Sequence, residues 1–61
     1  MKFKRFINFL IKSKIEFSTE WDTSGDYYYV TIILGNIEYI IREDDTILMM
    51  QVWNEILEYW I

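Results

Sequence analysis

Two residues, Gly35 and Asn36, interrupt an otherwise continuous β-branched and aromatic run, with YYYVTIIL before them and IEYIIR after. A Gly-Asn pair between two such runs is the signal of a two-residue hairpin loop. A hairpin fixes register. With Gly35 and Asn36 as the loop, Leu34 faces Ile37, Ile32 faces Tyr39 and Val30 faces Ile41, and Tyr28 continues that side of the sheet. On the other side Ile33 faces Glu38, Thr31 faces Ile40 and Tyr29 faces Arg42. A slip of one residue exchanges the two sides and drives Glu38 toward the core, where an unpaired carboxylate is costly.

The segment before this hairpin alternates as a half-buried strand does. From Lys14 to Asp22, residues Ile15, Phe17, Thr19 and Trp21 point one way, and Glu16, Ser18, Glu20 and Asp22 point the other. Asp22-Thr-Ser-Gly-Asp26 reads as a turn, with Gly25 free to take a positive φ. A loop of Thr23 to Asp26 pairs Trp21 with Tyr28 and Phe17 with Ile32, so both hairpins agree on the buried side. The triplet Tyr27-Tyr28-Tyr29 then splits. Tyr28 belongs to the core beside Trp21, and Tyr27 and Tyr29 face outward among acids.

Helical spacing appears at both ends of the chain. Phe3, Phe6, Ile7, Leu10 and Ile11 share one face of a helix from Lys2 to about Ser13. Lys2, Arg5, Phe9 and Lys12 fall opposite, which leaves Phe9 outward between cations. Asp44 and Asp45 supply an N-cap and first-turn acids for a last helix that starts near Asp45 or Thr46. Met49, Val52, Trp53, Ile56, Leu57 and Trp60 form its main apolar face, and Leu48, Met50, Tyr59 and Ile61 widen it. The arc spans roughly 220° at 100° per residue, more than one sheet requires. Either this helix is wedged between sheet and first helix, or Leu48, Val52 and Tyr59, with Met50 and Ile61, make a two-fold dimer contact. The expected fold is α+β, an αβββα chain in one domain over residues 1–61. Its three-stranded antiparallel meander carries both helices on one face.

Sixty-one residues bury little surface, and folds this small usually need a staple. The chain has no Cys and no His, so disulfides and the common zinc sites are excluded. Twelve aromatics and eleven isoleucines offer a dense core in their place. Ala and Pro are absent, and Ile, Lys, Asn, Tyr and Glu abound, a bias that fits an AT-rich genome such as that of a phage or mobile element. No cleavable signal and no membrane-spanning run is expected, and a cytoplasmic location in a host cell is.

Charge is divided along the chain. Residues 1–14 hold five bases and no acid, whereas residues 15–61 hold one base, Arg42, and all ten acids, for a net charge of −4. An acidic body repels nucleic acid and attracts basic protein surfaces. Membrane attachment through Lys2, Arg5 and Phe9 is opposed by the same acids. No glycine-rich phosphate loop or nucleophile elbow is present, and the carboxylate pairs Asp44-Asp45 and Glu16/Glu20 lack a cleft to shift their pKa values. No catalysis and no cofactor is expected. The outward face of the sheet, with Glu16, Glu20, Asp22, Tyr27, Tyr29 and Glu38, has no element left to cover it. Its tyrosines and isoleucines suit a protein interface, and its acids suit a basic partner.

The N-terminal helix closed by IKSKIEF, the meander with its hairpin GNIEYIIRED and the following helix resemble the small type II-A anti-CRISPR proteins of Listeria prophages over most of the chain. The resemblance implies a Cas9 inhibitor whose acidic surface mimics DNA and occupies the site that reads the PAM. In that family a hairpin-tip Gly-Asn followed by an acid takes part. Gly35, Asn36 and Glu38 are the matching positions here, with Ile37 interposed and Leu34 standing where the family has an acid. Asn36 therefore joins the expected contact residues.

Overall fold

The computed structural model describes residues 1–60. Helix α1 (Phe3–Lys12) leads into strands β1 (Phe17–Asp22), β2 (Tyr27–Leu34) and β3 (Ile37–Arg42), and helix α2 (Thr46–Tyr59) follows. The strands form one antiparallel sheet in the order β1-β2-β3. The register matches the sequence expectation pair for pair, from Phe17 with Ile32 and Trp21 with Tyr28 to Tyr29 with Arg42 and Leu34 with Ile37. Gly35 takes φ 62° at the first loop position, where a two-residue hairpin favours glycine.

Both helices lie on one side of the sheet. Val30, Ile32, Leu34 and Ile41 meet Phe6 and Leu10 of α1 and Met49, Val52 and Ile56 of α2 in a single core. No described buried side-chain polar atom lacks a partner. Burying each such side chain contributes on the order of 2 kcal/mol, which is how the fold manages without a staple. Neither helix, among the described residues, is long and apolar enough to cross a membrane.

The ends of the helices differ. Asp45 caps α2, its side chain accepting from the Leu48 N–H at 3.1 Å. The expected first-turn acids are absent, because Asp44 lies before the cap and turns back to Arg42 at 3.2 Å. α1 has no side-chain cap and no acid in its first turn. It ends in a Schellman motif, with Lys14 at φ 57°, Lys14 N–H donating to Ile11 O and Ile15 N–H to Leu10 O. This left-handed residue delays β1, so Ile15 and Glu16 approach the sheet without belonging to it.

Several expectations fail at the margins of the core. Tyr28 and Trp21 point to the covered side and pack edge to face at 4.6 Å, yet each remains nearly half exposed. The ten residues of α1 extend about 15 Å, whereas the eight of β2 extend about 27 Å. α1 alone is too short to cover the length of β2, and this pair is left partly uncovered. Ile11, expected inward, is exposed on the flank of α1 away from α2. Phe9, expected outward, stacks on Trp53 of α2 at 3.8 Å with 10° between the rings. Val52, a candidate dimer contact, is fully buried under α2 and unavailable to a partner. Leu48 is packed against the core, Leu57 and Trp60 are about half exposed, and Tyr59 is largely exposed. Ile61 lies outside the described residues. Gly25 has no positive φ; Asp26 takes it instead, at 58°.

Candidate functional site: the uncovered sheet face

Alternation along the strands sends Ser18, Glu20 and Asp22 of β1, Tyr27, Tyr29, Thr31 and Ile33 of β2, and Glu38, Ile40 and Arg42 of β3 to the side without helices. The central strand supplies a ridge that runs from two tyrosines to Thr31 and Ile33. Acids of β1 border it on one side. Ile33 and Ile40 are each about 60% exposed, more apolar than an antiparallel face turned to solvent usually is.

The tyrosine end is ordered by polar contacts. The Tyr29 hydroxyl donates to Glu20 Oε2 at 3.0 Å. The Arg42 guanidinium, opposite Tyr29 in register, leans diagonally over the Tyr27 ring at 4.0 Å. It also holds Asp44 through two nitrogens. The single cation of residues 15–61 is therefore engaged twice, in a cation–π contact and an ion pair. Gly25 is needed beneath this arrangement. A Cβ there would collide with the Tyr27 ring, so glycine is selected by ring packing and not by backbone conformation.

Asp22 has a structural task. Its Oδ1 accepts from the Ser24 hydroxyl at 2.6 Å, the Ser24 N–H at 2.9 Å and the Gly25 N–H at 3.2 Å. These bonds, led by the Ser24 hydroxyl, hold its carboxyl below the usual aspartate value. The phenols respond oppositely. The neighbouring Asp22 carboxylate raises Tyr27, and hydrogen bonding to Glu20 raises Tyr29. Both stay neutral throughout the physiological range.

Of the expected contact residues, Glu20, Asp22, Tyr27, Tyr29 and Glu38 share this face. Glu16 lies just before β1 and joins Phe17, Ser18, Thr31 and Ile33 around a shallow hollow of about 190 Å³. Asn36 stands apart, exposed at the hairpin tip, where the ring of Trp60, just past the end of α2, lies against Gly35. Sequence reasoning overlooked the attachment of Arg42 to Tyr27, because register names the opposite residue and not the diagonal one. It placed Lys2, Arg5 and Phe9 on one outward surface but overlooked Trp53, whose stacking on Phe9 brings these cations into a seam between the helices. Helical spacing placed Phe9 outward and could not name its partner.

No protein-family model, no curated protein and no solved structure matches the chain.

Proposed function

We propose that this chain is a binding protein without enzymatic activity, made by a phage or mobile element to inhibit a host protein, and that the uncovered sheet face is its contact surface. The observation that carries the reading is the composition of that face. An apolar and aromatic ridge on β2 (Tyr27, Tyr29, Ile33), with Ile40 beside it on β3, is bordered by the acids Glu20, Asp22 and Glu38, the arrangement of apolar centre and polar rim that interfaces use. The acids select a basic protein surface. In its most specific form the reading is a DNA-mimicking anti-CRISPR that blocks the PAM-reading site of Cas9, as the resemblance of the hairpin and element order suggests.

Three strands about 4.8 Å apart and 20–27 Å long offer a flat area on the order of 400 Å². One side of a standard interface buries about 800 Å². A stable contact therefore has to extend past the strands, toward Glu16 at the β1 edge or Asn36 at the hairpin tip. The test is affinity capture from a host lysate alongside titration of guide-loaded Cas9, followed by double charge reversal, Glu20→Lys with Glu38→Lys. Binding to the captured partner should weaken about tenfold or more with the fold intact, since both side chains are exposed. Unchanged affinity would sink the reading.

A second reading is a homodimeric interaction module joined through α2. It is favoured by the exposure of Met50, Leu57, Tyr59 and Trp60, which ranges from 46 to 71%. Without Val52, the contact would be built on Met50 and Leu57, which share one side of α2 at 100° per residue, with Tyr59 on the opposite side and Trp60 at the end. Sedimentation at micromolar concentration separates the readings, because a strict monomer removes the second.

A further inference from the structure

The cations of α1 are placed at a cost. Lys2, Lys4 and Arg5 crowd the N-terminal end of the helix, where the macrodipole is positive, with no acid and no side-chain cap to offset them. A surface selected only for solubility would carry acids there, as the rest of the chain does. The same residues line a hollow of about 520 Å³ with Lys12, Phe9 and Trp53. A second hollow of about 370 Å³ continues past Arg5 and Trp53 to Met50 and Asn54. Among the described residues no acid lines either hollow, although the chain has ten. At the floor Phe9 and Trp53 are stacked, and the Arg5 guanidinium lies 5.8 Å from the Trp53 ring centroid.

We propose that this seam between α1 and α2 binds a short stretch of single-stranded nucleic acid, with Lys2, Lys4, Arg5 and Lys12 following the phosphates and the Phe9–Trp53 stack supplying a platform for bases. Cations along a groove beside aromatic rings are the two components of strand binding without sequence preference. Glu20, Asp22 and Glu38 belong to the sheet face turned away from the helices, so the core layer separates them from the seam. Of the acids on α2, Glu55 is engaged by the Tyr39 hydroxyl, and neither it nor Glu58 lines a hollow. The site is independent of the sheet face and of any protein bound there.

The probe is fluorescein-labelled dT12, read by anisotropy in 50 mM salt. Micromolar binding is expected, with a log–log salt slope between about −2 and −3, as three or four neutralised phosphates give on a single strand. Arg5→Glu should weaken it about tenfold. Lys14→Glu, an equal change in net charge outside the seam, should leave it within about twofold. An abasic 12-mer with the same phosphates should bind at least about fivefold more weakly. Circular dichroism confirms that each variant is folded. Absence of binding at 100 μM wild-type protein (roughly the weak end of non-specific affinities) overturns the proposal. So do equal losses in Arg5→Glu and Lys14→Glu, or equal affinity for the abasic strand. Binding to phosphatidylserine vesicles without binding to dT12 would assign the seam to membranes and overturn it as well.

Discussion

The two faces of the sheet come from the same three strands, and one alternation produces both. On the covered face Val30, Ile32, Leu34 and Ile41 are uniformly aliphatic and fully or almost fully buried. On the uncovered face Tyr27, Tyr29, Ile33 and Ile40 mingle with Glu20, Asp22, Glu38 and Arg42. The first composition is what packing requires. The second sets exposed tyrosines and isoleucines among more charge than a core tolerates. It is held together by directed contacts, Tyr29 to Glu20 and Arg42 over Tyr27, which keep its side chains in place before anything binds. Ordering in advance lowers the entropy lost on association.

The sharpest way to test that difference uses neighbours on β2 that point to opposite faces. Ile32→Ala should cost about 3 kcal/mol, as deletion of a buried branched side chain does. A chain of this length has on the order of 5 kcal/mol in total, so much of its stability should disappear. Ile33→Ala should cost no more than about 0.5–1 kcal/mol, since the side chain is more than half exposed. Urea unfolding midpoints measure both. Similar costs would mean that the uncovered face is covered in solution.

The register was legible because a two-residue loop leaves no freedom in what it joins. Gly35 and Asn36 determined six β2–β3 pairs, and the four-residue loop Thr23 to Asp26 extended the agreement to β1. The limits of the cover were not legible. Alternation assigns Trp21 and Tyr28 to a face, but whether a helix reaches them depends on the length of α1 against that of β2. Helical spacing similarly gave Phe9 an angle and no partner, so its stack on Trp53 went unseen. The role of Gly25 was missed for a related reason. Its sequence suggested a backbone requirement, whereas the structure shows a ring resting on it.

Gly25→Ala therefore has an effect of informative sign. Because φ at this position is not in the left-handed region, alanine alone would raise stability by about 0.4–1 kcal/mol through the unfolded chain. The added Cβ instead displaces the Tyr27 ring and its contact with Arg42. A net loss of about 1 kcal/mol is expected, and the ring-current shifts of the Arg42 side-chain protons should collapse. A gain in stability with those shifts retained would show that the ring yields freely and that the uncovered face is less ordered than its contacts suggest.

The smallest effect compares two tyrosine–glutamate pairs, one on each face. Tyr39 donates to Glu55 of α2 at 2.8 Å in a half-buried site, and Tyr29 donates to Glu20 at 3.0 Å in an exposed one. Each phenol is raised above its ordinary value of 10.0, chiefly by the hydrogen bond to its glutamate. A raised phenol stabilises the fold in its neutral form. That contribution is complete below pH 10 and is lost as pH climbs through the higher folded value. Unfolding midpoints should therefore decline above pH 10. Tyr39→Phe should flatten the decline more than Tyr29→Phe, because water screens the exposed pair more strongly. If Tyr29→Phe flattened it as much, Tyr29 and Glu20 would be as shielded as the pair beneath α2, and the uncovered face would have to be closed by a second molecule.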